Sequence, residues 1–406
     1  MPRSYAACGS LPWRPTLEVV RVLIAPDCFT GTLTAVQAAE AMAQGWRRTA
    51  PGDHLDLLPL SDGGPGFLDV IQGALGGEMV MASVSDPLGR PVPAGVLVVQ
   101  EEDGRTAYLE AASACGLHLL AADERNPAVT STYGVGELIE AALTVSPNRI
   151  VIGLGGSGTN DAGAGMLAAL GAGPVEELAL GGLALAGAPD DALGGLPAVR
   201  ARFAGVDLIF ATDVDVPLLG LQGASAVFAP QKGADPAMAQ ALESALGRFT
   251  EIVDRGVSLP IDLLTGRPRR LDREPGAGAA GGLGYALALL GGRRVSGVET
   301  VLDAVDIQGR LVGADLVVTG EGRFDWQSLR GKVVAGVSER AAAQAVPVVV
   351  LAGQVLVGRR ETMGLGISGT YAVASTPAQV AGAMADPVGT LAQRAQRVAR
   401  TWSPQR

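Results

Sequence analysis

Short apolar runs, each ending on glycine or an acid before a helical pattern begins, most tightly limit how this 406-residue chain can fold. Arg21–Ala25 leads into Pro26-Asp27, Arg149–Ile152 into Gly153, Val206–Ala211 into Thr212-Asp213, and Asp315–Thr319 into Gly320-Glu321. Runs of this length without polar alternation read as strands covered on both faces, as in a parallel sheet. Helical patterns lie between them. Thr34 and Gln37 form a capping box ahead of Ala35–Arg48, and Phe67–Leu75 and Val333–Gln344 continue the alternation. Strand and helix in turn imply a parallel sheet with helices on its faces.

The texture differs between residues 78 and 294. Glu78–Ser85, Val92–Gln100 and Arg105–Glu110 read as antiparallel strands joined at Asp86-Pro87-Leu88-Gly89 and Asp103-Gly104. Helices are expected at Tyr133–Thr144 and Pro236–Arg255, and 172–200 is helix and loop of weak periodicity. The parallel pattern returns after Arg294, with strands at Val346–Leu351 and Tyr371–Ser375. The expected class is therefore α/β: a doubly wound parallel-sheet domain built from both termini (19–77 and 295–406), with a second, mixed α/β domain inserted (78–294). Residues 1–18 contain no continuous apolar stretch and read as a disordered leader rather than a signal peptide.

Composition removes several function classes. A formal net charge of −10 argues against nucleic acid and anionic membrane surfaces as partners. Three scattered cysteines and two histidines offer neither a disulfide framework nor a histidine-based metal centre. No apolar run reaches the roughly 18 residues of a membrane span. A soluble, cytoplasmic protein is expected.

The chemistry gathers at the strand exits. Asp27, Asp62, Ser157–Asp161, Asp213, Asp215, Glu321 and Asp325 all follow expected strands, the edge where open α/β sheets bind ligands. An acid there is also a common turn former or helix cap, and Asp27 can be read that way. Gly153–Asp161 (GLGGSGTND) offers backbone amides for a phosphate. Its first six residues match G-x-G-x-x-G, which raises a nicotinamide-linked oxidoreductase. The acid that such a site needs about 20 residues on is missing, which places that reading third. Thr319–Asp325 combines Glu321, Arg323 and Asp325 in one loop, with Gln327, Ser328 and Lys332 just behind.

Lys232 and Lys332 are the only lysines in a chain that otherwise uses arginine, and both adjoin glycine. A compact ammonium on a flexible stem suits a phosphate oxygen. No Walker A sequence and no protein-kinase motif occurs. Phosphoryl transfer needs a phosphate cradle, a carboxylate-held divalent metal, a cation and a carboxylate to take the hydroxyl proton. The chain supplies each of these without a histidine, and a kinase of a small hydroxylated molecule fits best.

At these residues the chain resembles the bacterial glycerate kinase family. The matching blocks are APDCFTGTLTA (25–35), LSDGGPG (60–66), NPAVTSTYGVGELI (126–139), GLGGSGTNDAGAGM (153–166), ATDVDVPLLGLQGASAVFAPQKGA (211–234), GAGAAGGLG (276–284) and TGEGRFDWQSLRGK (319–332). The resemblance implies ATP- and Mg²⁺-dependent phosphorylation of D-glycerate at its 2-hydroxyl or 3-hydroxyl, with the site in a cleft between two domains. A homodimer is compatible with it. On this reading Gly155, Gly156, Ser157, Thr159 and Asn160 meet phosphate or substrate oxygens, as do Glu321, Arg323 and Gln327. Lys232 and Lys332 face anionic charge; Asp62, Asp161 and Asp325 are catalytic, with Asp325 the first choice as base; Asp213 and Asp215 hold the metal. Two departures from the family pattern stand out: Thr30 where it has lysine and Pro65 where it often has glutamate. They keep open a kinase of another small hydroxy acid, alongside a non-catalytic nucleotide-binding paralogue.

Overall fold

A computed structural model describes residues 19–29, 31–329 and 331–403. The expected leader at 1–18 and the departure at Thr30 lie outside the described residues. Among the described residues, thirteen strands form two principal sheets and a two-stranded one. In chain order they are β1 (Arg21–Pro26), β2 (His54–Leu57), β3 (Glu78–Ser85), β4 (Pro91–Glu101), β5 (Gly104–Glu110), β6 (Arg149–Gly153), β7 (Asp207–Ala211), β8 (Arg293–Val295), β9 (Leu316–Gly320), β10 (Arg323–Phe324), β11 (Val348–Ala352), β12 (Gln354–Val355) and β13 (Ile367–Ala372). The first sheet has the order β13-β11-β9-β1-β2 and is parallel throughout. The second runs β3-β4-β5-β6-β7-β8, antiparallel among its first three strands and parallel from β5 onward. The fold is mixed α/β with parallel sheets.

Alternate residues of β1 explain why its sheet is covered on both sides. Val22 and Ile24 enter a core formed with Ala38, Met42 and Trp46 of helix Ala35–Arg47 and Leu391, Ala395 and Val398 of helix Pro387–Trp402. Leu23 and Ala25 face the other way, into a core that also takes Leu97, Tyr108, Val151 and Ile209 of the second sheet. Between the sheets lie Phe67 and Ile71 of helix Phe67–Leu75 and Val298 and Val301 of helix Gly297–Ala304. The second sheet's opposite face builds its own large core with helices Tyr133–Thr144 and Pro236–Gly256. The capping box forms as expected: Gln37 N donates to Thr34 Oγ1 at 3.2 Å and Thr34 N to Gln37 Oε1 at 3.0 Å.

Two expected boundaries move. The strand placed at Tyr371–Ser375 is instead Ile367–Ala372, because pairing along β11 carries it through the weak strand formers Ser368 and Gly369. The run His54–Leu60 reads in sequence as one strand, but the strand ends at Leu57, although Leu60 N still donates to Pro26 O at 2.9 Å. Residues 172–200 hold the short helices Val175–Leu178 and Leu196–Arg202 and a 3₁₀ turn.

Candidate active site

Register places the first two acids side by side. Pro26 pairs with Gly320, so Asp27 and Glu321 leave adjacent parallel strands at the same level, and Asp27 N donates to Gly320 O at 2.8 Å. Both side chains are buried. Burial pushes the Asp27 pKa well above the carboxylate range; the charge of Asp62 adds to the rise, the Cys28 amide opposes it, and Glu321 raises it further. The Glu321 carboxyl is pushed up to about 7, first by burial, with Ser328 and Lys332 opposing and Asp62 and Asp325 reinforcing. Its Oε1 is buried without a hydrogen-bond partner among the described residues.

Asp62 is half-buried on the loop after β2, where its Oδ1 accepts from Gly64 N at 3.2 Å. Lys332 Nζ stands 3.7 Å from Asp62 Oδ2. Burial alone would lower the Lys332 pKa, but the summed attraction of Asp62, Glu321, Asp27 and Asp325 raises it. This lysine therefore stays charged. It occupies the N-cap position of helix Val333–Ala343 without making a side-chain cap bond. A cation there opposes the helix dipole. Asp325 accepts from Gln327 N at 2.9 Å and pairs with the exposed Arg323 at 3.2 Å; Gln327 is exposed on the same turn.

The glycine loop behind β6 reaches this cluster through backbone contact. Gly155 N donates to Gly63 O at 3.1 Å, and a side chain at Gly155 would begin only 2.4 Å from Gly64 Cα. Glycine is thus needed where the two loops touch. Only Gly155 and Gly156 of the expected cradle reach the surface; Ser157, Thr159, Asn160 and Asp161 are buried. Lys232 is buried with them, donating to Ser157 Oγ at 2.9 Å and Thr159 O at 2.6 Å. Burial drives its pKa down to about 8, against the opposing pull of Cys115 and Asp161. Asp161 accepts from Thr132 N (2.8 Å), Thr132 Oγ1 (2.9 Å), Gly163 N (3.1 Å) and Gly165 N (3.3 Å). Burial still raises its pKa. Asn160 Nδ2 donates to Ser225 Oγ at 3.0 Å. These side chains thus hydrogen-bond beneath the loop, while Thr159 Oγ1 and Asn160 Oδ1 are buried without a hydrogen-bond partner among the described residues.

Asp213 joins the cluster and Asp215 does not. Asp213 accepts from Ser296 Oγ at 2.6 Å and Val298 N at 3.0 Å, so it anchors the start of helix Gly297–Ala304. Burial lifts its pKa to about 6, Ser296 and Val298 hold it down, and Asp62 adds to the rise. Asp215 is exposed. Among the described residues no three His, Cys, Asp or Glu side chains are grouped to hold a metal by themselves. Mg²⁺ is commonly held by one or two carboxylates plus substrate phosphates, so the crowded pair Asp27 and Asp62 still suits it.

Glu110 was absent from the sequence-derived candidates. It ends β5 in register with Gly153, and its Oε2 accepts from Gly66 N at 3.0 Å, at the head of helix Phe67–Leu75. A strand of the second sheet thereby holds the loop that carries Asp62. Burial pushes the Glu110 carboxyl up to about 7, opposed by the Leu68 and Gly66 amides. The rule that selected Asp27, an acid closing an apolar strand, also describes Glu110.

Comparison with known proteins agrees with this geometry. The pattern of the glycerate kinase family matches residues 22–403. A glycerate kinase of Bacillus subtilis is 41% identical over 83% of this chain and 85% of its own length. The glycerate 2-kinase of Escherichia coli K12 is 39% identical over 82% and 85%. A crystal structure from Salmonella typhimurium LT2, assigned to glycerate kinase 2, superposes with a TM-score of 0.69 at 36% identity, covering 94% of this chain and 98% of that one. Among the described residues no helix is long and apolar enough to cross a membrane.

Proposed function

The chain belongs to the glycerate kinase family, and we propose that it transfers the terminal phosphoryl group of ATP to a hydroxyl of D-glycerate, giving 2-phosphoglycerate or 3-phosphoglycerate. The observation that carries this reading is Lys332, held charged at a helix N-terminus by four acids where the exits of β1 and β9 meet the loops of the second sheet. A charged lysine at a helix N-terminus suits a migrating phosphoryl group, whose charge spreads over its outer oxygens. The amide of exposed Gly156 would contribute to a cradle for the phosphate chain.

Glu321 is the acceptor of the hydroxyl proton. It is buried, its Oε1 lacks a partner among the described residues, and it lies beside Lys332. Asp325, already engaged by Arg323 and the Gln327 amide, orients that loop. Asp27 and Asp62 would hold Mg²⁺, which would supply neutralisation of phosphate charge; Asp213 braces the site through Ser296. In this reading residues 19–77 with 295–406, and the inserted 78–294, act as two domains of a cytoplasmic enzyme with the site in the cleft between them. The purified protein, given ATP and MgCl₂, should phosphorylate D-glycerate and stop when Mg²⁺ is chelated, with ³¹P NMR identifying the product. Brisk turnover of a different hydroxy acid with none of glycerate would replace the substrate assigned here.

A further inference from the structure

We propose that Arg294, with Arg269 across a surface cavity, grips an oxyanion group of one of the two substrates beside Asp213. The inference rests on the kinase reading above and names a part of the site that the glycine loop and Lys332 do not supply. The cavity measures about 520 Å³ and is lined by Arg269, Glu274, Pro275, Arg294, Val295 and Ser296. Val295 and Ser296 form the exit of β8, the neighbour of β7, whose own exit carries Asp213. Ser296 Oγ donates to Asp213 Oδ1 at 2.6 Å, so the cavity opens one side chain away from the acid cluster.

The charges around the cluster show why such a group is needed. Asp27, Asp62, Asp213, Glu321 and Asp325 bring negative charge, while Lys332 lies against Asp62 and Arg323 against Asp325. Both substrates are anions and the chain carries −10, so attraction must come from a local cation with free donors. Arg294 meets that description. Its Nε donates to Thr212 O at 3.3 Å, and its two terminal nitrogens make no hydrogen bond or ion pair among the described residues. Its charge reaches Asp213. The stem is seated against Gly276, where a Cβ would lie 2.7 Å from Arg294 Cδ. Arg269 faces it with both Nε (2.9 Å) and Nη2 (2.5 Å) on Glu274 Oε1, leaving Nη1 for a ligand. A planar guanidinium binds carboxylate and phosphate through paired, parallel hydrogen bonds, which an ammonium cannot reproduce.

The test compares wild type with Arg294→Met, Arg294→Lys and Arg269→Met, measuring KM for D-glycerate and for ATP separately. Arg294→Met should raise one KM by about 10- to 100-fold with kcat within about 3-fold, the pattern of lost ground-state binding. A rise confined to glycerate identifies the carboxylate as the bound group; a rise confined to ATP identifies phosphate. Arg294→Lys should recover only part of the loss, and Arg269→Met, altering an exposed side chain, should give a smaller rise in the same KM. Calorimetry of ADP and of D-glycerate supplies a readout without turnover, in which Arg294→Met weakens one ligand and spares the other. If wild type binds neither glycerate nor turns it over, the kinase reading fails, and the ADP titration alone decides this inference. Both KM values and both affinities within about 2-fold of wild type in folded Arg294→Met would overturn it.

Discussion

The chain's two lysines occupy opposite environments, although the sequence presents both beside glycine. Lys232 is sealed inside the second sheet's loops, where burial favours its neutral form and its protons tie Ser157 and Thr159 together. Lys332 is half-buried among acids that favour its charged form, and its ion-pair partner among the described residues, Asp62, is 3.7 Å away. One lysine serves through hydrogen bonds and packing, the other through charge that no neighbour fully claims. Rarity in a sequence thus marks positions that arginine cannot fill without distinguishing structural from chemical reasons.

Exchanging each lysine for methionine tests that contrast most directly. Lys332→Met should lower kcat by about 10²- to 10³-fold, the scale for removing one preorganised electrostatic contact to a transition state. Unfolding by urea should change less, since a half-exposed pair contributes at most about 1 kcal/mol. Lys232→Met should do the reverse, costing about 2–4 kcal/mol because Ser157 and Thr159 O lose a buried donor. A Lys232→Met protein as stable as wild type but inactive would erase the contrast.

Titration sharpens it. The folded Lys232 pKa of about 8 lies below the ordinary 10.5, so between these values the unfolded chain binds more protons. Wild-type stability should therefore gain from this group as pH rises from about 8 to 10.5, a contribution absent from Lys232→Met. Glu110 gives a contribution of opposite sign. Its folded pKa near 7 exceeds the ordinary 4.5, so its contribution falls as pH rises between them. Glu110→Gln should thus gain on wild type by on the order of 2 kcal/mol from pH 4.5 to 7 in urea unfolding. The smallest effect belongs to Asp215→Asn: an exposed side chain outside the cluster should leave kcat within about 2-fold and stability within about 0.5 kcal/mol. A kcat collapse in that variant would move the metal toward Asp215.

Parallel-strand exits were legible because apolar runs and the acids after them are local patterns, and Asp27, Asp62, Asp213 and Glu321 do come together. What the letters could not carry was depth. Asp161 and Lys232 occupy glycine-rich segments like their exposed counterparts, and only tertiary packing encloses one with four donors and the other beneath Ser157. Ser296 and Arg294 were invisible for another reason. Three-residue β8 takes its place from pairing with β7, and no run of its own announces an exit there. The strand at Ile367–Ala372 likewise owes its limits to β11.

The joining of β1 to β9 has a consequence for biosynthesis. Thr319 Oγ1 donates to Ala25 O at 2.7 Å across 294 residues of chain. A ribosome adding about 5–20 residues per second emits the second of those residues roughly 15–60 s after the first. Until then β1 has β2 along one edge and the second sheet over one face, but its other edge and the face that meets helix Pro387–Trp402 lack those partners, while all of the six-stranded sheet has already left the exit tunnel. Chaperone demand should accordingly concentrate on β1, and a fusion that hides Val22 and Ile24 would ease it.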